Sequence, residues 1–233
     1  MRLTVFLCAL LTMTPALAEE RSYSVTSFSQ VRVEGPVTVQ IVTGGSPSAR
    51  AQGDRIAIDR LRVQTSGDRL MIGIDRTNWT GSEASRNARA TLYVTTPRIE
   101  TLSVIGAGDV SVDRAAGAKL GLIVTGAGRV AVDRIDVDAL TVAINGVGSA
   151  KLAGRAKQAR IRSQGNGDVE AVALTADDAD VTLIGAGEIR LTADRSARTL
   201  LKGSGRILIE GNPACSGTAE GSGEVLCSGP SPR

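Results

Sequence analysis

The chain has 233 residues, no histidine, aromatics at only 2% and a formal net charge of +3. Without histidine, Ser-His-Asp and Cys-His catalysis and His-ligated zinc are excluded. The small charge, dispersed among acids, excludes a nucleic-acid footprint and a polybasic membrane patch, and the four aromatics beyond residue 18 (Tyr23, Phe28, Trp79, Tyr93) form no stacking platform for bases or sugar rings.

Residues 1–18 open with Met1-Arg2, run apolar from Leu3 to Leu11 and end on Ala16-Leu17-Ala18. A short basic start, an apolar core and a small-x-small end predict a secretory signal peptide cleaved after Ala18. An uncleaved anchor is the alternative, but Thr12, Thr14 and Pro15 break the apolar stretch, which is short for a bilayer. Cleavage removes Cys8 and Arg2, so the mature chain carries +2 and two cysteines. No later segment is apolar enough to span a membrane. The expectation is an exported protein, periplasmic or at the cell surface, with no transmembrane segment.

Residues 19–98 carry short alternating runs. Val31, Val33, Val37, Val39 and Ile41 alternate around a Gly35-Pro36 turn. Ile56-Ala57-Ile58, Leu61-Arg62-Val63 and Leu70 to Ile74 continue as strands, with Ser66-Gly67-Asp68 as a turn. Arg76 to Arg89, with Trp79, reads as a polar loop, and Ala90 to Val94 as a further strand before Pro97. The region predicts irregular β coils capping the N-terminal end of a larger array, or a small separate β domain.

Residues 99–227 hold a repeat. Gly-x-Gly recurs at Gly106/Gly108, Gly126/Gly128, Gly146/Gly148, Gly165/Gly167, Gly185/Gly187, Gly203/Gly205 and Gly221/Gly223, and successive first glycines lie 20, 20, 19, 20, 18 and 18 residues apart. Four residues after the first glycine stand Val110, Val130, Ala150, Val169, Ile189, Ile207 and Val225. Six after it stand Val112, Val132, Leu152, Ala171, Leu191, Ile209 and Cys227. Even offsets are apolar or small and odd offsets mostly polar, the period-two signature of strands with one buried face. Strands of like composition at a fixed period predict one coil per repeat, with equivalent residues stacked about 4.8 Å apart. The fold class is therefore all-β: a single-stranded parallel β-helix, or β-solenoid, of about seven Gly-x-Gly coils plus less regular N-terminal coils. The glycines are structural. Both of each pair fall on inward offsets, where the backbone turns or approaches the opposite wall. A phosphate loop is excluded because a strand, not a helix, follows each pair.

In the last coil, Cys227 occupies the inward plus-six column and Cys215 stands six before Gly221, where earlier coils place Leu120 and Leu140. An even cysteine pair in an oxidising compartment predicts a Cys215–Cys227 disulfide, with two buried thiols as the alternative. Residues 228–233, with Pro230 and Pro232, read as a polar tail.

Several segments resemble a known family. Phe28-Ser29-Gln30-Val31-Arg32-Val33-Glu34-Gly35, Val37-Thr38-Val39-Gln40-Ile41 and Asp68-Arg69-Leu70-Met71-Ile72 are similar to the opening of the putative auto-transporter adhesin, head GIN domain family. Leu92 to Pro97 followed by Leu102 to Val110 resembles its central signature. The resemblance covers nearly the whole mature chain. It implies an exported right-handed parallel β-helix, and it supplies no catalytic residues.

Two functions fit. One is a non-enzymatic envelope or surface module, adhesin-like or structural, whose partner is an envelope polymer or protein and which can self-associate end to end or side by side. No cofactor, metal or nucleic acid is expected. The other is a polysaccharide-acting enzyme, which needs paired carboxylates, or a basic residue with bound calcium. Its candidates are Asp177, Asp178 and Asp180, though Thr175 to Asp180 reads as a solvated turn between coils. The outward column Asp109, Arg129, Ser149, Asp168, Glu188, Arg206, Glu224 reads as a solvated face, or as a ladder for a cation or glycan.

Overall fold

The computed structural model describes residues 19–75 and 88–229. The expected signal peptide with Cys8 and its expected cleavage position at Ala18, Trp79 with most of its loop, and the prolines at 230 and 232 lie outside the described residues. In chain order the elements are β1 (Glu19–Tyr23), β2 (Gln30–Glu34), β3 (Thr38–Thr43), β4 (Ser48–Gly53), α1 (Arg55–Arg60), β5 (Leu61–Ser66), β6 (Arg69–Ile74) and β7 (Ala90–Thr96). Then come β8 (Thr101–Gly106), β9 (Asp109–Val112), β10 (Ala115–Gly126), β11 (Arg129–Gly146), β12 (Ser149–Gly165), β13 (Asp168–Gly185), β14 (Glu188–Gly203), β15 (Arg206–Gly211), β16 (Ala214–Glu220) and β17 (Glu224–Cys227).

The repeat columns are physical ladders. Leu102, Leu122, Val142, Ile161, Val181, Thr199 and Gly217 stand in parallel register, each one coil above the last. Val110, Val130, Ala150, Val169, Ile189, Ile207 and Val225 form a second such ladder across the glycine corner. The protein is a parallel β-solenoid. Its core is almost wholly aliphatic, with Val124, Val142, Ile144, Ile161, Leu183 and Leu201 fully buried. Each such side chain contributes about 1.5–3 kcal/mol on leaving water, which is how strands too short to fold alone hold together as a stack.

The corner divides the work between the two glycines, and it corrects the expectation that both face inward. The first of each pair makes the turn. Gly106, Gly126, Gly146, Gly165, Gly185, Gly203 and Gly221 all have positive φ, and none of them is buried. The second of each pair does not turn. Gly108, Gly128, Gly148, Gly167, Gly187, Gly205 and Gly223 lack positive φ, and all but Gly223, in the last coil, are buried. The reason is that a positive φ suspends the inward-outward alternation for one residue, so the chain swings out at the first glycine and returns inward at the second. The second position therefore needs glycine for space. A Cβ on Gly148 would lie 2.6 Å from Val124 Cγ1 and 2.7 Å from the Gly128 carbonyl oxygen. The first position needs it for both reasons. At Gly185 φ is +133°, and a Cβ there would lie 2.0 Å from the Gly165 carbonyl oxygen. Successive corners rest backbone on backbone, and the ladder passes through them: Ala127 N–H donates to Gly106 O at 2.9 Å and Val147 N–H to Gly126 O at 2.9 Å.

Coil length varies elsewhere. Register slips between Val132 and Ile135, where Asp133 and Arg134 oppose Ala153 alone. It slips again where Val172, Ala173 and Leu174 have no counterpart in β14, and where Asp177 faces Asp194 and Arg195. These bulges absorb the change in repeat length on the side away from the glycines.

Parallel stacking continues before residue 98. β2 lies between β8 and β6, and β3 between β9 and β7. Beyond them the pairing turns antiparallel: β5 on β6, β4 on β7 and β1 on β4. Here another expectation fails. Ile56-Ala57-Ile58 is no strand but part of the single-turn helix α1, where the Asp54 carbonyl accepts the N–H groups of Ala57 at 3.0 Å and Ile58 at 2.9 Å. Ile56 is 44% exposed, whereas Ile58 and Leu61, three apart, are buried. In a strand Ile56 and Ile58, two apart, would share one face, and here they do not. The expectation at Thr175 to Asp180 fails too: the segment is no turn between coils but lies within β13.

At the other end Cys215 and Cys227 are joined by a disulfide with a Cα–Cα distance of 6.4 Å. In the coil beneath, Ala197, Leu201, Ile207 and Ile209 are buried. Cys215, Val225 and Cys227 are only half-buried, because among the described residues the last coil has a neighbour on one side alone.

Candidate binding groove

The outward column beside the glycine corner is stacked as its spacing requires: Asp109 against Arg129, Arg129 against Ser149, Ser149 against Asp168, Glu188 against Arg206, Arg206 against Glu224. Its charges are largely matched locally. Arg206 Nε lies 3.4 Å from Glu224 Oε2, Arg190 Nε lies 3.2 Å from Glu188 Oε1, and Asp168 Oδ1 accepts the Glu188 N–H at 2.9 Å. Exposed pairs of this kind contribute about 0–1 kcal/mol. Among the described residues no cluster of three or more acidic or cysteine side chains could hold a metal ion.

A more structured surface lies on the face that precedes the glycine corner. Two outward columns run along the solenoid axis, separated by one inward residue per strand. The first holds Ala139, Gln158, Asp178, Ser196 and Ala214. The second holds Thr141, Arg160, Asp180, Arg198 and Ser216. Between them Leu140, Ala159, Ala179 and Ala197 turn inward and are buried. The result is a groove of about 260 Å³ with polar walls.

The two carboxylates of the groove differ in their company. Asp178 accepts Arg195 Nε at 2.9 Å and Ser196 Oγ at 2.7 Å, with Arg195 Nη2 on its other oxygen. The hydrogen bonds from Arg195 and then Ser196 hold its carboxyl at about 2, well below the ordinary value. Asp180 Oδ2 lies 3.9 Å from Arg160 Nε. Asp178 is thus ionised throughout the neutral range and has no proton to deliver as a general acid. Gln158 and Arg198, with Thr141 and Ser216, are exposed and have no hydrogen-bond or ion-pair partner among the described residues.

Of the three acids singled out from sequence, Asp178 and Asp180 share this groove, while Asp177 occupies the bulge and is not on its walls. Gln158, Arg160 and Arg198 escape a reading focused on even offsets. The column five before the first glycine, Thr101, Gly121, Thr141, Arg160, Asp180, Arg198, Ser216, carries the signal that finds the two arginines, and Gln158 stands in the column seven before it. None of the glycine pairs, from Gly106/Gly108 to Gly221/Gly223, lines the groove.

The profile of the family described as putative auto-transporter adhesin, head GIN domain, matches residues 27–213. Among solved structures, a putative adhesin from Bacteroides fragilis is similar with a TM-score of 0.83 at 24% identity, over 91% of this chain and 97% of its own. A putative lipid binding protein from Parabacteroides distasonis follows at TM-score 0.70 and 17% identity, over 91% and 96%. A putative adhesin from Parabacteroides merdae reaches 0.69 at 14% identity, over 91% and 96%. These likenesses establish the fold. No functionally curated protein matches the chain.

Proposed function

Because the chain belongs to the putative auto-transporter adhesin, head GIN domain family, we propose that it is an exported, non-enzymatic binding module of the envelope or cell surface. Its target is an extended polymer or protein lying along the solenoid. One observation carries this reading: a parallel ladder, in register along the strand that precedes each glycine corner, that holds polar side chains in fixed columns across several coils. A rigid array suits repetitive ligands, since the side chains that meet the ligand are ordered before binding. The carboxylates that an enzyme would use support the same reading, since Asp178 is committed to Arg195 and Ser196. No helix among the described residues is long and apolar enough to cross a membrane. Export rests on residues 1–18, whose pattern predicts cleavage after Ala18.

The test uses the mature chain, residues 19–233, incubated with envelope fractions and with a panel of polysaccharides. The expected result is saturable binding with no new reducing ends. Turnover of any polysaccharide, abolished in Asp178→Asn, would replace the binding module with an enzyme.

A further inference from the structure

Resting on that reading, we propose that the groove on β11 to β14 and β16 binds an acidic polysaccharide strand laid along the solenoid axis. The walls run from Thr141 to Ser216 over five coils, about 19 Å at the spacing of stacked strands. Donors and acceptors therefore recur once per coil along a straight line. A linear polymer with hydroxyls on every unit presents a matching series; a compact solute meets only one rung.

Charge selects the acidic class. The walls carry Arg160 and Arg198 against Asp178 and Asp180, with Arg195, Asp177 and Asp194 beside them on the bulge. Arg195 is committed to Asp178 and Arg160 approaches Asp180, which leaves Arg198 without an ion-pair partner among the described residues. Arg162, two residues along the same strand from Arg160, is also exposed and unpaired among the described residues. A guanidinium fork binds a carboxylate through two parallel hydrogen bonds, which makes Arg198 the anchor for a uronate-type group. The Gln158 amide, with both donors and an acceptor, and the Thr141 and Ser216 hydroxyls are left to meet ring hydroxyls.

Other occupants fit less well. The groove has no aromatic on which a base could stack. It has no deep apolar pocket to anchor a peptide side chain, and the backbone groups of β12 to β14 are spent on the ladder rather than open to strand addition.

The mature chain is titrated calorimetrically with polygalacturonate and with neutral dextran at low and at physiological salt. Polygalacturonate should bind, and dextran should bind about tenfold more weakly or not at all. Arg198→Ala should weaken polygalacturonate binding about tenfold, the value of one charge-assisted contact. Arg134→Ala removes an arginine that is exposed and unpaired among the described residues, on the bulge side of the coil, and should change nothing. Equal binding of dextran, or equal losses in the Arg198 and Arg134 variants, would overturn the assignment. So would polygalacturonate failing to bind while envelope fractions are retained equally by the native chain and Arg198→Ala, an outcome that leaves the broader module reading intact. If envelope fractions also fail to bind, both fall.

Discussion

A single methyl group is enough to test the stacked corner. At Gly185 an added Cβ would meet the Gly165 carbonyl oxygen at 2.0 Å and its carbon at 2.8 Å, both backbone atoms that cannot swing aside. Gly35 also has positive φ, +88°, but open space around it. Gly185→Ala should therefore cost about 3 kcal/mol or more, from strain plus the separation of two coils. Gly35→Ala should cost only the strain, about 1–2 kcal/mol. Urea unfolding of both variants separates the two contributions. Equal losses would mean that conformation alone, and not contact between coils, requires glycine at the corner. Polar residues inside the stack obey the same geometry. Ser163 occupies a column otherwise held by residues such as Val124, Ile144 and Leu183, and it survives there because its hydroxyl donates to Gly167 O at 3.1 Å.

The elements differ in how openly the chain announces them. Strands β8 to β17 are legible because two periods coincide, two residues along each strand and about twenty between strands, and only stacked coils satisfy both. Which glycine of a pair turns is not legible: Gly106 and Gly108 both stand at even offsets, and only the backbone shows that the first breaks the alternation. The β5–β6 hairpin is legible from its Ser66-Gly67-Asp68 turn, and the structure adds that Asp68 Oδ1 accepts the Ser29 N–H at 2.8 Å, tying the turn to the start of β2. Helix α1 is not legible: two isoleucines two apart fit a strand as well as a turn of helix, and only the neighbouring β1 and β4 decide. The antiparallel partners of β7 and β4 are hidden for the same reason, since pairing depends on what stacks nearby. The groove is half legible. Asp178 and Asp180 stand out as acids, but Arg195 reaches Asp178 only because of the bulge at Asp177, which sets it beside a carboxylate whose in-register neighbour is Ser196. The helix can be checked directly. Ile58→Ala should cost about 2–4 kcal/mol because the side chain is buried beneath the N-terminal strands. Ile56→Ala, on an exposed position, should stay within about 0.5 kcal/mol. Comparable losses at both would show that residues 55–60 bury both isoleucines, as a strand facing the core would.

A stack of coils is stabilised by neighbours, so its ends are its weakest parts. At the N-terminal end, antiparallel β1, β4 and β5 with α1 extend beyond the parallel coils. At the C-terminal end β16 and β17 contact the stack on one side only, and small residues such as Gly217 and Ala219 take the inward positions that Thr199 and Leu201 hold one coil below. The Cys215–Cys227 disulfide compensates by closing a loop of separation 12, which removes about 3 kcal/mol of chain entropy from the frayed state. Its effect should be local. In the Cys215→Ser/Cys227→Ser double variant, or after reduction, amide exchange should accelerate at Val225 and Leu226 by about two orders of magnitude. Exchange at Ile189 and in β12 should stay unchanged, because those amides open only with coils further inside the stack. The groove columns at Gln158, Arg160 and Asp178 lie within that protected body, so ligand binding should survive loss of the disulfide. Uniform acceleration along the whole solenoid would mean that the coils unfold as one unit, and that the last coil is a keystone rather than a frayed end.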